Sequence, residues 1–176
     1  MAEKYGVPVT GWSNGVVRDV AHAKELAQKI GYPLLIKASA GGGGRGIRIV
    51  HEDAGLAEAF ESASNEAASA FGNADCLMEQ LVPEARHVEV QLIADQHGTV
   101  WAMGTRDCSV QRRHQKLIEE APAPGLSPEL EASISKAAVA VAKASEYEGA
   151  GTAEFLLVPE TGEFYFLEMN TRLQVE

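Results

Sequence analysis

Apolar residues recur with a helical period in three stretches of the chain, residues 19–30, 54–71 and 128–146. In each stretch they return every three or four positions, so they fall on one face of a helix. Asp19 and Ser127 stand at the start of two of these stretches, where a side-chain oxygen can accept from the first free N–H groups. The pattern predicts three amphipathic helices.

Between these stretches, apolar residues form short runs or alternate with polar residues, as they do in strands. The predicted strands are 33–37, 47–50, 76–79, 87–93, 100–104, 152–158 and 163–168. Turn-forming residues at 95–98 and 159–162 join the last two pairs of strands as hairpins. We therefore predict an α+β protein with mostly antiparallel strands in two lobes, residues 1–82 and 83–176.

Composition narrows the class of protein. The chain has 176 residues and a formal net charge of −10, which disfavours nucleic acid as a partner because phosphate binding needs a basic face. Cys76 and Cys108 have no paired spacing, so a disulfide framework or zinc site is not expected. The sequence has neither a signal-peptide pattern nor an apolar run long enough for a membrane span. We expect a cytoplasmic protein that binds neither nucleic acid nor membrane.

A glycine-rich segment, residues 38–46, lies between two predicted strands and directly follows Lys37. Phosphate loops of the Walker and dinucleotide types open a helix, and here a strand pattern follows instead. A hairpin tip made of glycines leaves its backbone N–H groups open to a polyphosphate, and the lysine adds a positive charge. The sequence predicts a mobile flap over nucleotide phosphates. The alternative is a flexible surface turn with an incidental lysine.

Polar residues occupy every second position at the end of the chain: Glu168, Asn170, Arg172, Gln174 and Glu176. On one continuous strand these five side chains would project from the same face. Oxygen donors followed by a cation, an amide and a carboxylate are typical of a site for a metal ion and an anion. Because the pattern breaks off without turn residues, we expect the chain to be an internal segment of a larger protein.

The hairpin turn near residue 160 places Glu154 opposite Glu168, within about one residue. Two carboxylates that face each other across a strand pair repel. Magnesium removes that repulsion, since it prefers oxygen ligands and also bridges to nucleotide phosphates. The sequence thus predicts a metal site on this hairpin, with a solvated acidic face as the alternative.

A basic segment, residues 106–116, holds four of the fifteen Lys and Arg residues together with His114. In so acidic a chain this clustering indicates a local pocket for an anion. The alternative is a solvated loop, held in place by the proline-containing segment 119–124.

Together these motifs resemble the biotin carboxylase domain of biotin-dependent carboxylases, a branch of the ATP-grasp superfamily. The matching stretches are 36–46, 87–91, 106–116, 118–124 and 168–176, and the resemblance extends over essentially the whole chain. The basic segment and the run 172–176 distinguish this branch from other ATP-grasp ligases. The resemblance implies an ATP-grasp fold, with the small glycine-loop lobe and part of the larger metal-binding lobe.

The resemblance also implies roles for individual residues. The implied ATP-binding residues are Lys37, Gly41, Gly42, Gly43, Gly44, Gly46, Glu79, Gln80, Leu81, Val82, His87, Gln111 and His114. Magnesium or manganese would be held by Glu154, Glu168 and Asn170, and bicarbonate by Lys116, Arg172, Gln174 and Val175. The implied catalytic residues are Lys116, Arg172 and Glu176, with Glu176 as the general base.

The activity implied is the ATP-dependent carboxylation of carrier-bound biotin, with bicarbonate as the carbon source and carboxyphosphate as the intermediate. The implied partners are a biotin carboxyl carrier domain, a carboxyltransferase and further copies of the parent protein. The family's N-terminal lobe and C-terminal portion are not in this chain, so we expect the chain alone to have little activity. Two alternatives stay open, an ATP-grasp ligase of the carbamoyl-phosphate type and a nucleotide-binding module without catalysis.

Overall fold

The computed structural model describes residues 2–40, 46–112 and 115–174. These residues form two compact units, one spanning Thr10–Pro83 and the other made of residues 2–9 and 84–174. Residues 2–9 therefore pack with the second unit, although the sequence division placed them with the first. Within the described residues, no helix is long and apolar enough to cross a membrane.

The first unit is a small sheet covered by two helices. Its elements are α1 (Val20–Ile30), β1 (Leu34–Ala38), β2 (Arg48–Val50), α2 (Leu56–Phe71) and β3 (Cys76–Gln80). The strands are antiparallel in the order β2-β1-β3. Leu34, Ile36 and Ala38 alternate inward along β1 to meet the buried faces of both helices, so Lys37 lies on the opposite face.

In the first unit, α1 begins where its predicted cap stands, and both helices end where the sequence predicts. The Asp19 carboxylate accepts a 2.8 Å hydrogen bond from the backbone N–H of His22, which caps α1. Gly31 follows the last residue of α1. Gly72 terminates α2 with a φ of 70°, a left-handed conformation that favours glycine.

The second unit is a larger sheet with one helix on its apolar face. It opens with a short 3-10 helix (Ala2–Tyr5), and its further elements are β4 (Arg86–Ala94), β5 (Val100–Arg112), β6 (Gln115–Glu120), α3 (Pro128–Ala144), β7 (Gly149–Leu157) and β8 (Phe164–Asn170). The strands are antiparallel in the order β6-β5-β4-β7-β8. Ser127 caps α3 and Pro128 occupies its first turn, as expected.

The two faces of the larger sheet differ in chemistry. Alternate residues of β4 (Val88, Val90 and Leu92) are wholly buried in the core beneath α3. The residues between them in sequence, His87, Glu89 and Gln91, point to the other face. That second face carries most of the polar residues that the sequence singled out.

The alternative interpretation of the basic segment, a solvated loop, is wrong. Residues 106–112 continue β5, and β6 begins at Gln115, so this segment is part of a strand pair. The sequence pattern misses these strands because their polar side chains do not alternate with apolar ones. Arg106 instead pairs with Glu89 on the neighbouring strand β4, and Lys116 pairs with the same residue across the sheet.

The expectation of one strand through the end of the chain is also wrong. The ladder between β7 and β8 ends at the pair Thr152 and Asn170, and residues 171–174 are not in a strand. Arg172 and Gln174 therefore lie beyond the strand on which Glu168 and Asn170 alternate, because its ladder with β7 stops before them. Glu176 lies outside the described residues.

Candidate metal and anion site

The polar face of the larger sheet centres on Glu89, in the middle of β4. Its side chain is completely buried, and each oxygen of its carboxylate meets a different cation. Nη2 of Arg106, on β5, lies 2.5 Å from Oε1. Nζ of Lys116, on β6, lies 2.6 Å from Oε2. A buried carboxylate requires such neutralisation, because an unpaired charge in this position would strongly destabilise the fold.

Glu154, on β7, lies directly opposite Glu89 in the strand register and is 5% exposed. Lys116 bridges the two carboxylates, since its Nζ is also 3.0 Å from Oε1 of Glu154. Burial alone would lower the pKa of Lys116, but the hydrogen bonds and charges of both glutamates outweigh burial and raise it. The lysine therefore keeps its positive charge between two carboxylates that would otherwise repel each other.

Glu154 has two further neighbours. Nδ2 of Asn170 donates to Oε1 across 2.7 Å, and Nε2 of His87 lies 2.9 Å from Oε2. The His87 contact is close but poorly aligned, so it counts as an electrostatic contact rather than a formed hydrogen bond. Burial would raise the pKa of Glu154, whereas His87 and Lys116 lower it, to about 2. This carboxylate is thus ionised at neutral pH.

Glu168, on β8, is the register partner of Glu154, as the hairpin geometry predicts. Its side chain is exposed, and within the described residues it makes neither an ion pair nor a hydrogen bond. Two carboxylates and the amide of Asn170 on neighbouring strands form a donor set of oxygens that suits a hard divalent cation. The residues present therefore fit the magnesium or manganese that the sequence predicts.

Two residues predicted to bind the nucleotide join the same cluster. Nε2 of Gln111 lies 2.7 Å from Nδ1 of His87 and also donates to the carbonyl of Cys108 across 2.7 Å. Gln111 thereby fixes the imidazole whose other nitrogen contacts Glu154. The structure thus connects the predicted nucleotide residues His87 and Gln111 to the predicted metal ligand Glu154.

Among the residues predicted to bind bicarbonate, Arg172 and Gln174 contact each other. Nη1 of Arg172 donates to Oε1 of Gln174 across 2.8 Å. The arginine is exposed, whereas Gln174 is buried. The amide orients the guanidinium, whose Nη1 also donates to the carbonyl of Leu173 across 3.4 Å. Among the described residues Nε and Nη2 have no hydrogen-bond partner, so they can donate to an anion.

The first unit carries the other nucleotide residues. Nζ of Lys37 lies 2.5 Å from Oε1 of Glu79, a neighbour on β3. The N–H groups of Gln80 and Leu81 are hydrogen-bonded to the carbonyls of Gly11 and Pro33 (2.7 and 3.0 Å), so they are not available to a base. Val82 follows them after β3, and Gly46 is buried in a left-handed conformation, with a φ of +73°.

Seven of the predicted site residues lie outside the described residues. They are Gly41, Gly42, Gly43, Gly44, His114, Val175 and Glu176.

Sequence reasoning missed the role of Glu89 and its neighbours Arg106 and Gln91. Oε1 of Gln91 accepts from Nη2 of Arg106 across 3.1 Å, which extends the buried polar network along β4. A signal was available, because Glu89 stands between Val88 and Val90 in phase with His87.

Residues 1–176 match the model of the family described as carbamoyl-phosphate synthase L chain, ATP binding domain. The chain belongs to this family. As a member of it, the chain contains an ATP-binding domain that spans every predicted site residue.

The curated relatives are biotin-dependent enzymes. The chain is 50% identical over 174 residues to the biotin carboxylase of Nostoc sp., which covers 99% of the chain and 39% of that protein. It is 51% identical over 175 residues to the pyruvate carboxylase of Bacillus subtilis, which covers 99% of the chain and 15% of that protein. The chain therefore spans well under half the length of these relatives.

The solved structures agree with the curated relatives. A biotin carboxylase from Campylobacter jejuni, solved as a β-γ-ATP complex, superposes with a TM-score of 0.94 at 50% identity, covering 99% of this chain and 39% of that one. The biotin carboxylase domain of the 2-oxoglutarate carboxylase from Hydrogenobacter thermophilus, bound to MgADP, ADP and bicarbonate, gives 0.93 at 48% identity, covering 99% and 38%. The predicted α+β, ATP-grasp fold is confirmed.

Proposed function

We propose that this chain is the nucleotide- and bicarbonate-binding part of a biotin carboxylase, an ATP-dependent ligase that carboxylates carrier-bound biotin. The observation that carries the proposal is the position of Glu154. This one ionised carboxylate contacts Lys116, Asn170 and His87 and faces Glu168, so it joins the three predicted subsites. The identity of about 50% to biotin carboxylases supports the same activity.

Glu154, Glu168 and Asn170 would hold a magnesium or manganese ion through their side-chain oxygens. When bound, the ion neutralises the phosphate oxygens that gain charge during phosphoryl transfer. Asn170 now presents its nitrogen to Glu154, and a turn of its amide would present the oxygen instead.

Proposed ATP-binding residues occur in each of the two units. Lys37 and the segment 41–46 would supply a cation and backbone N–H groups for the phosphates. Residues 79–82 would contact the adenine through backbone groups other than the N–H groups of Gln80 and Leu81. His87 and Gln111 would contact the nucleotide from the polar face of the larger sheet, with His114 alongside. We assign residues 1–82 to the small ATP-grasp lobe and 83–176 to part of the large lobe, except that residues 2–9 pack with the latter.

Bicarbonate would bind to Lys116, Arg172, Gln174 and Val175. Its oxygen attacks the γ-phosphorus of ATP and ADP leaves, which forms carboxyphosphate, the donor of the carboxyl group for biotin. Glu176 is proposed as the general base that takes a proton from bicarbonate. The cations Lys116 and Arg172 stabilise the developing negative charge and position the anion.

The whole protein would work with a biotin carboxyl carrier domain and a carboxyltransferase, and would assemble as a homo-oligomer. These partners are implied by relatives such as pyruvate carboxylase and the methylcrotonoyl-CoA carboxylase subunit. Its proposed location is the cytoplasm. The carboxyl acceptor would be set by the carboxyltransferase rather than by this chain.

A second candidate is a ligase of the carbamoyl-phosphate type, which also activates bicarbonate with ATP. This candidate is suggested by the matching family, which is described as carbamoyl-phosphate synthase L chain, ATP binding domain. The two activities differ in what receives the activated carboxyl group, which is biotin in one case and ammonia in the other.

Radiolabelled bicarbonate separates these activities in the intact protein. With ATP and free biotin, we expect label in carboxybiotin and bicarbonate-dependent release of phosphate. With ATP and ammonia, we expect no labelled carbamoyl phosphate. Glu168→Gln should abolish the carboxybiotin signal, whereas Glu160→Gln, in the exposed turn of the same hairpin, should not. Label in carbamoyl phosphate alone would overturn the proposal in favour of the second candidate.

A further inference from the structure

Lys116 has two partners of different kinds. Glu154, 3.0 Å from its Nζ, is a proposed ligand of the metal, whereas Glu89, 2.6 Å away, is assigned to neither the metal nor the anion. The same ammonium is proposed to bind bicarbonate. One side chain therefore serves the metal ligand and the anion site, and its contacts decide how those two sites influence each other.

Glu154 cannot keep all its present contacts and also bind a metal. Oε1 is contacted by both Lys116 and Asn170, and Oε2 by His87. An ammonium and a divalent cation that share one carboxylate repel strongly where burial weakens solvent screening. The amide of Asn170 can turn to offer its oxygen, but the ammonium has only donors. Lys116 is the contact that a metal at Oε1 must displace.

Displacement does not leave Lys116 without a counter-ion. Glu89 is completely buried, and it is fixed from the other side by Arg106. The carboxylate of Glu89 therefore stays in place when the contact with Glu154 breaks. The ammonium carries three N–H donors, and the one that Glu154 releases becomes free on the polar face of the sheet.

We propose that Lys116 is an exchangeable counter-ion that couples the two sites: a divalent cation at Glu154 displaces the lysine, Glu89 retains it, and the released N–H donates to bicarbonate. This inference rests on the proposed function of the site. By linkage, the metal raises the affinity for the anion by the same factor as the anion raises the affinity for the metal. Couplings of this kind typically amount to about 5- to 150-fold.

The first consequence concerns metal affinity without bicarbonate. Lys116→Gln removes the competitor for Glu154, so we expect Mn²⁺ to bind roughly tenfold more tightly than to the wild type. Glu89→Gln removes the alternative partner, which leaves Lys116 held by Glu154 alone, and should weaken Mn²⁺ binding several-fold. If Lys116 acted only through its charge and did not exchange between Glu154 and Glu89, Lys116→Gln would still tighten Mn²⁺ binding. In that case Glu89→Gln would weaken Mn²⁺ binding by the same factor with or without the lysine.

A double-mutant cycle separates competition from long-range electrostatics. If the carboxylate of Glu89 acts on the metal only through space, its loss should weaken Mn²⁺ binding by the same factor whether or not Lys116 is present. Under the exchange proposed here, Glu89→Gln costs less affinity in the Lys116→Gln background, because no lysine remains to compete. The wild type, the two single variants and the double variant are titrated with Mn²⁺ at saturating ADP. Electron paramagnetic resonance measures the concentration of free Mn²⁺, and circular dichroism verifies that each protein is folded.

The wild type alone provides a second measurement, which does not depend on whether the variants fold. Saturating bicarbonate should raise its Mn²⁺ affinity by about the factor expected for the coupling, roughly tenfold. Tighter Mn²⁺ binding in Lys116→Gln, together with this effect of bicarbonate, supports the proposal. Equal Mn²⁺ affinities in wild type and Lys116→Gln, or no effect of bicarbonate, would overturn it.

Glu168→Gln distinguishes the possible failures. If Mn²⁺ binding depends on Glu168 but not on Lys116, the coupling is wrong and the proposed metal site stands. If Mn²⁺ binds with the same affinity to the Glu168→Gln variant, or binds to none of these proteins, both the proposed site and the coupling fail.

Discussion

Glu89 and Glu154 lie directly opposite each other on neighbouring strands, and both side chains are buried. Two carboxylates in this position would destabilise the sheet if they were alone. Lys116 lies between them, within 3.0 Å of each. The buried charges of Glu89 and Glu154 are thus balanced by Lys116, and substitutions that change this balance should change the stability of the protein.

Removing the shared cation should cost stability. Lys116→Met leaves two buried carboxylates opposed, and breaking a buried ion pair in this way typically costs about 3–5 kcal/mol. We expect urea unfolding at pH 7 to show a free energy of unfolding lower by an amount in that range. Lys143→Met, an exposed lysine in the last turn of α3, should stay within about 0.5 kcal/mol of the wild type. Equal stabilities of the two variants would contradict the assigned role of Lys116.

The depressed pKa of Glu154 predicts a specific loss of stability in acid. Its pKa falls from 4.5 to about 2 on folding, so the unfolded chain binds this proton more readily than the folded one. The associated stability, about 3 kcal/mol, is complete above pH 5 and disappears as the pH falls towards 2.

Chemical unfolding at several pH values between 7 and 2 measures this contribution. Glu154→Gln cannot titrate, so its free energy of unfolding should fall less steeply than that of the wild type across this window. A parallel decline in both proteins would show that Glu154 is not the group responsible.

The assigned metal ligands predict that two acidic residues of one hairpin contribute differently to the affinity for magnesium-bound ATP. Glu168→Gln removes a charged ligand and should reduce the affinity for magnesium-bound ATP at least tenfold in isothermal titration of the intact protein. Glu160→Gln, in the exposed turn, should bind like the wild type. If the loss of affinity for Glu168→Gln were the same with and without magnesium, the residue would not act through the metal.

The packing around Gly151, in β7, leaves no room for a larger side chain. A Cβ at this position would lie 2.8 Å from Cε of Met169 and 2.8 Å from Cε1 of Tyr147. Gly151→Ala should therefore lower the free energy of unfolding by about 1–3 kcal/mol, the usual cost of overpacking. Gly55→Ala meets nothing within 4 Å and should leave stability unchanged or slightly raised. Thermal unfolding of both variants makes the comparison.

The sequence was sufficient for those parts of the fold that depend on local signals. The helix limits follow from caps such as Asp19 and Ser127, and the pairing of Glu154 with Glu168 follows from the length of one turn. Such features depend on residues a few positions apart, so a single sequence contains the information.

The sequence was not sufficient for elements held by distant partners. β6 lacks an apolar alternation, and it is fixed by pairing with β5 and by the ion pair of Lys116 with Glu89, 27 positions away. The same holds for Glu89 itself, because its burial only makes sense once Arg106 and Lys116 are known to neutralise it. The end of β8 at Asn170 is likewise set by the ladder with β7, not by the alternating residues that follow.

The most direct test of the account is a crystal of the intact protein grown with Mn²⁺, ADP and bicarbonate, and measured at the manganese absorption edge. We expect an anomalous peak coordinated by carboxylate oxygens of both Glu154 and Glu168, with the anion bound at Lys116. A structure in which these two carboxylates point away from each other, with manganese bound elsewhere, would contradict the central claim.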